Sequence, residues 1–342
     1  AGLVALGLEE SDAAALGVYV HGLAGEAAEK HFGVHGVLAG EIADCLPEDT
    51  EMEFDRIYAE VDLGRIEENM KAMKEHLRPG TKMYGVVKTD AYGHGAVPVA
   101  RTIDCFVCGY AVATVDEGLK LRRHGIEKEI LSLGPVSASR YQECLENDIS
   151  LPVFEYRRAK ELSNAAVAEG KTAKIHIAVD TGMSRIGLFP DEGSVEIVKE
   201  IAELPALRIA GMFTHFARAD EADKTNAGEQ YRRFREFCDD VKAAGVAVPV
   251  CHCSNSAGIV ELPDFNMDAV RAGITIYGMY PSDEVKQDII SLKPAMALKS
   301  VDFPAPFAPI MVMKSPSWTS RVSLLSAAFS LTVPGLKVLL TY

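Results

Sequence analysis

Between residues 58 and 278 the sequence repeatedly alternates a short apolar run with an amphipathic stretch, and this alternation constrains the fold more than any other feature. The apolar runs fall at 58–63, 82–88, 105–113, 130–134, 149–154, 174–180, 207–216, 248–255 and 269–278. Short runs of this kind read as buried strands, and the stretches 64–77, 114–124, 155–169, 191–203 and 226–244 carry a helical period. Gly245 follows the last of these, where a helix C-cap favours a residue free to adopt positive φ. Repeated βα units build a parallel sheet covered by helices. The runs from 82 onward suffice to close a (β/α)8 barrel and leave 58–63 outside it. The expected fold class is therefore α/β, a TIM-type barrel.

Such a barrel takes about 250 residues, and the chain has 342. Charge shows where the surplus lies. Of the formal net charge of -14, residues 1–55 carry -11, with Lys30 their one basic residue, and 301–342 carry +2. That divides the chain into 1–50, a barrel over 51–300, and a tail over 301–342. With 48% hydrophobic residues the chain can bury a core, which excludes disorder. The acidic balance argues against nucleic acid as a partner. Seven cysteines, odd in number and mostly in apolar runs such as 105–108, read as reduced, buried thiols of a cytoplasmic protein. Cys251 and Cys253 could ligate zinc, but neighbours along a strand point to opposite faces, so no metal is expected. No apolar run is long enough for a membrane span.

In a barrel of this type, chemistry sits where strands run out into loops. The strand at 82–88 ends in VVKTDAYGHG. A lysine closing a buried strand either snorkels or is chemically employed, since desolvation disfavours its charge and suits it to Schiff-base work. The strand at 174–180 runs into DTGMSRIG, where Arg185 could hold a phenolate or carboxylate, or make a surface ion pair. His215 ends another strand, a catalyst or a satisfied core residue. Asn255 and Ser256 suit a phosphate or a helix N-cap, and Arg271 lies beside Gly273, whose backbone could approach an anion.

Taken together, VVKTDAYGHG, DTGMSRIG, THFARAD, SNSAG and RAGITIYG, in this order, make the stretch from about 56 to 299 resemble the N-terminal barrel of the alanine racemase family. The resemblance implies a pyridoxal 5′-phosphate isomerase interconverting L- and D-alanine for cell-wall supply, a homodimer in the family. It implies that Lys88 carries the cofactor and acts as one of two acid/base groups at the substrate α-carbon. Tyr92 would lie near the cofactor phosphate, and Asn255, Ser256 and the backbone of Gly273 and Ile274 would receive it. Arg271 would face the pyridine nitrogen with His215 as its neighbour, and Arg185 would meet the phenolic oxygen and the substrate carboxylate. Many relatives carry a modified lysine where this chain has Ala178, so Arg185 must be oriented another way.

After residue 299 the family's β-rich C-terminal domain, which supplies a second acid/base tyrosine across the dimer, is not legible. Residues 301–342 hold five prolines and read as an irregular, unrelated tail. The expected consequence is impaired turnover, with a barrel that holds the cofactor without turnover as the alternative. The HGLAGE run within 1–50 resembles the C-terminal helices of NAD(P)H-hydrate dehydratase, which would make that segment a remnant without a nucleotide site.

Overall fold

The computed structural model describes residues 57–300 and 338–341. The hydrate dehydratase-like segment, 1–50, lies outside the described residues, as does most of the tail. Val61–Met296 forms one compact unit. Its strands β2 (Lys82–Val86), β3 (Gly109–Val112), β4 (Glu129–Ser132), β5 (Ile149–Val153), β6 (Ala173–Ala178), β7 (Leu207–Phe213), β8 (Cys251–His252) and β9 (Ala269–Ala272) close a barrel in sequence order. Every pairing is parallel, and β9 returns to β2 with Tyr84 opposite Arg271. The expected eight-stranded barrel is the observed one. Strand β1 (Ile57–Asp62) belongs to a separate three-stranded sheet, between Met296–Ser300 and Val338–Thr341. That last strand is a departure from a wholly irregular tail.

Helices follow the strands because the intervening sequence carries caps and one apolar face. The first, α1 (Leu63–His76), starts on Asp62, whose carboxylate accepts from Arg65 N–H at 3.0 Å. It buries Leu63, Ile66, Asn69, Met70 and Met73. Asn69 is polar yet nearly sealed. Its amide donates to the Ile276 and Lys293 carbonyls and its oxygen accepts from Lys293 N–H, pinning the closing segment of the barrel. Of the remaining helices, α2 (Ala96–Ile103), α3 (Val115–Arg123), α4 (Tyr141–Glu146), α5 (Tyr156–Ala168), α6 (Glu192–Ala202), α7 (Thr225–Ala243) and α8 (Ser256–Glu261), three are short and had no legible period.

Several apolar runs overstate their strands. Residues 105–107 lie outside the ladder, which starts with Cys108 N–H donating to the Met83 carbonyl at 2.8 Å: Asp104–Phe106 is a 3-10 turn, Asp104 accepts from the Tyr110 hydroxyl at 2.8 Å, and Lys128 donates to the Val107 carbonyl at 2.9 Å. Cys105 is consequently exposed, contrary to the reading of buried thiols, whereas Cys144, Cys238, Cys251 and Cys253 are buried. Likewise the run 269–278 ends as strand at Ala272 and continues as a 3-10 turn, Ile274–Tyr277, because Ser256 Oγ takes the Gly273 and Thr275 N–H groups that a ladder would use. No helix among the described residues is long and apolar enough to cross a membrane.

Candidate active site

At the mouth formed by the strand C-termini lies a cavity of about 540 Å3. Lys88, Tyr92, Arg185, His215, Asn255, Ser256, Arg271, Gly273 and Ile274 all line it, so every site residue singled out from the sequence converges on one space.

Lys88 opens a single turn after β2 in which Thr89 (φ 55), Asp90 (φ 50), Ala91 (φ 55) and Tyr92 (φ 53) are all left-handed. L-residues resist this conformation by about 1–2 kcal/mol each. Hydrogen bonds offset that cost. Gly93 N–H donates to the Thr89 and Asp90 carbonyls at 3.0 Å, Asp90 Oδ1 accepts from Ala96 N–H at 2.9 Å, and Glu117 Oε1 accepts from Thr89 N–H at 2.7 Å. His94 is buried beneath the turn, stacks on Tyr277 and bonds through Nδ1 to the Ala91 and Tyr92 carbonyls. Strain held this firmly is characteristic of functional segments. The Lys88 ammonium lies 5.7 Å from the centre of the Tyr92 ring and has no ion pair among the described residues. Burial, and then the Arg185 charge, lower its pKa, while Glu117 opposes them. Tyr92 itself is pushed up to about 12 by burial.

Arg271 is 3% exposed and donates to His252 Nδ1 at 2.7 Å, to the Thr214, Cys253 and His252 carbonyls, and to His215 Nδ1 at 3.3 Å. Its Nε–H has no acceptor among the described residues, leaving one donor spare on a side chain that lines the cavity. Burial lowers its pKa to about 10, still cationic at neutral pH. His215 is held down to about 3 by burial, with the Arg271, Arg185 and Lys88 charges adding to it. The expected Arg271–His215 contact is present, but His252 is the closer partner.

Behind Arg271 runs a chain whose direction is fixed by its ends. Arginine can only donate and a carboxylate can only accept. Arg271 therefore donates to His252, His252 Nε2 donates to His176 Nδ1 at 3.1 Å, and His176 Nε2 donates to Glu129 Oε1 at 3.3 Å. Glu129 also accepts from Ser150 at 2.7 Å and Tyr84 at 2.8 Å. Burial alone would raise the Glu129 carboxyl, but the hydrogen bonds from His176, Ser150 and Tyr84 bring it down to about 2. Tyr84, Glu129, His176 and His252 stand on β2, β4, β6 and β8, one layer contributed by alternate strands as barrels of this class are filled. Sequence reading missed this layer. Its signal is a polar residue at the inward position of each alternate strand, visible only once strand register is known.

At the other end of the cavity, Ser256 Oγ accepts from the Gly273 N–H at 3.1 Å and the Thr275 hydroxyl at 3.1 Å. The Asn255 side chain caps α8, accepting from Gly258 N–H at 3.1 Å. Of the two uses its residue type allowed, the N-cap is the one seen. Arg185 is exposed, with no hydrogen bond or ion pair among the described residues. The expected alternative orientation of Arg185 is therefore not seen: nothing among the described residues holds that guanidinium.

Fold and site together define an α/β-barrel protein with its ligand cavity at the strand C-terminal mouth, a position typical of barrel enzymes. Comparison with known proteins is more specific. The family model described as "Alanine racemase, N-terminal domain" matches residues 61–281, and the chain belongs to that family. An alanine racemase of Clostridium novyi (strain NT) is 46% identical over 245 residues, covering 71% of this chain and 63% of the relative. One from Methanococcus maripaludis is 42% identical, covering 71% and 65%. The solved alanine racemase of Clostridium difficile 630 in complex with cycloserine superposes with a TM-score of 0.70 at 40% identity, covering 71% of this chain and 67% of that one. That of Bacillus anthracis with bound L-Ala-P gives 0.66 at 36% identity, covering 72% and 64%. The chain thus spans a little under two thirds of the length of these curated relatives.

Proposed function

We propose that this chain binds pyridoxal 5′-phosphate through Lys88 and acts in the interconversion of L- and D-alanine, the barrel over 51–300 being the working unit. The observation that carries this reading is the convergence on one cavity of a half-buried amine and a buried guanidinium, the first without an ion pair and the second with a spare donor among the described residues, and a serine–glycine cradle. The residues fit the cofactor. A Cβ at Gly273 would stand 3.4 Å from both Ser256 Oγ and Tyr92 Oη, so the missing side chain leaves room where hydroxyl and N–H groups gather, as a phosphate requires.

When bound, the cofactor supplies an electron sink for the pair left on an α-carbon that loses its proton. Lys88, its pKa lowered by burial, offers an amine that can condense with a carbonyl, releasing water, and take or return a proton at the α-carbon. Arg271 donates and does not accept a proton, so it leaves a ring nitrogen facing it unprotonated. With that nitrogen unprotonated the cofactor would be a weaker electron sink, which would favour return of the proton over loss of other groups. Arg185, a cation without a partner among the described residues, suits the substrate carboxylate. Phe213, Phe216, Met183 and Ile186 make the wall apolar and limit water around the amine. The cycloserine and L-Ala-P carried by solved relatives support a small amino acid as the ligand.

Lys88 works one face of the α-carbon. By the family resemblance the opposite face belongs to a tyrosine of a partner's C-terminal domain, so α-proton exchange needs Lys88 alone while full racemisation needs both. In D2O the chain loaded with cofactor should exchange the α-proton of one enantiomer of alanine, tested with both L- and D-alanine, and Lys88→Ala should slow this by about 10² or more. Exchange on a sample shown to hold the cofactor separates this reading from a carrier without turnover. Cofactor binding with no exchange at all would reject it.

A further inference from the structure

Glu117 occupies the third position of α3 and forms a capping box with Thr114: its N–H donates to Thr114 Oγ1 at 3.3 Å, and Oε2 accepts from Thr114 N–H at 3.3 Å. A capping box asks nothing more of the glutamate. Here the carboxylate does more. Oε2 also accepts from Ala113 N–H, at the exit of β3, at 2.7 Å, and Oε1 reaches across to the Thr89 N–H at 2.7 Å. One carboxylate therefore ties the end of β3 to the residue immediately following Lys88, at the first left-handed residue of the strained turn.

We propose that Glu117 is the positioning residue for Lys88, its carboxylate bridging Ala113 and Thr89 so that the left-handed turn presents the lysine amine to the cavity. The inference rests on Lys88 being the cofactor-bearing lysine. The groups that face this amine are the Tyr92 ring on its own turn, Arg185 from the loop after β6, His215 from the end of β7, and Glu117 from α3. His215 stays neutral in the working pH range and Arg185 opposes protonation, so Glu117 is the negative charge set against burial. Hydrogen bonds to a charged acceptor are the stronger kind, and three backbone donors, of Thr89, Ala113 and Thr114, depend on this one.

The test uses the full chain without cofactor and two readouts. Competitive acetylation with acetic anhydride, read by peptide mass spectrometry, gives the pH profile of Lys88. Borohydride reduction after incubation with pyridoxal 5′-phosphate gives adduct affinity. Urea unfolding establishes that each variant folds. Glu117→Gln removes the charge in nearly the same shape, and should move the Lys88 profile down by about half a pH unit or more and weaken adduct formation ~tenfold. Glu117→Asp keeps the charge but is too short to span both donors, and should leave the profile near that of the parent chain while weakening the adduct. Thr114→Ala breaks the capping box alone and should leave both readouts unchanged. Parent-like profiles and adducts in both Glu117 variants, or a Thr114→Ala chain that behaves like Glu117→Gln, overturn the proposal. Should Glu117→Gln not fold, Glu117→Asp decides it: undiminished adduct formation there overturns it. If the parent chain forms no adduct on Lys88 yet Glu117→Gln still shifts its acetylation profile, the cofactor reading fails and the Glu117 assignment stands.

Discussion

Two glycines show how differently single residues serve this site. Gly273 lies where a Cβ would meet the Ser256 and Tyr92 oxygens at 3.4 Å and Val86 Cβ at 3.9 Å, contacts of ordinary packing. Gly211 on β7 lies where a Cβ would come within 2.6 Å of the His176 ring and 2.7 Å of the Val250 carbonyl, neither of which is free to move. Gly273→Ala should therefore fold with stability close to that of the parent and lose cofactor affinity by about tenfold or more, roughly 1.4 kcal/mol. Gly211→Ala should lose about 1–3 kcal/mol of stability from overpacking. Urea unfolding and cofactor titration on both variants check this. Equal effects of the two on binding, with no difference in stability, would contradict the division. Residue types alone made Lys88, Arg271 and the Ser256–Gly273 pair legible, because a lysine or arginine at the end of an apolar strand is costly and therefore informative. Asn255 was ambiguous by chemistry, and only its bond to Gly258 N–H shows which of its two uses is realised.

At the scale of elements, the barrel was legible from alternation but its strand ends were not. Runs such as 105–113 and 269–278 are largely apolar, and periodicity cannot tell a buried strand from a buried turn; a hydrogen bond donated by Lys128 and one accepted by Ser256 decide where pairing stops. The left-handed turn after Lys88 was invisible for a related reason: Thr89, Asp90 and Ala91 do not announce positive φ, and the Glu117, Asp90 and His94 contacts that hold it come from tertiary structure or from short-range bonds with no periodicity. The polar layer of Tyr84, Glu129, His176 and His252 carries a prediction at this scale. In the fold, His94 is held down to about 4, His215 to about 3 and His252 well below its ordinary value, in each case chiefly by burial. Once unfolded they take protons near pH 6.5, so the unfolded state binds more protons and stability falls as pH drops below about 6.5. Glu129, at about 2 in the fold, adds stability that is present above its ordinary value of 4.5 and is lost as pH falls toward 2. Glu129→Gln should cost about 1.5–3 kcal/mol at pH 7 and remove only the lower of the two losses. Urea unfolding from pH 7 to pH 3 would show this, and an acid limb unchanged by Glu129→Gln would contradict it.

Over the whole molecule, Val61–Met296 is a closed (β/α)8 barrel whose inward polar layer supports Arg271 from below, while the left-handed turn sets Lys88 at the mouth above it. The chain's membership of the alanine racemase N-terminal domain family and the convergence of its strand-end residues come from independent observations, one of sequence similarity and one of geometry. The proposed function sets the cofactor on one amine of that cavity, Lys88. The most direct measurement is to incubate the full chain with pyridoxal 5′-phosphate, reduce with borohydride and map the modified peptide. The account predicts a single pyridoxyl adduct on Lys88; an adduct mapped instead to Lys82 or Lys174, at the opposite ends of their strands, would contradict it.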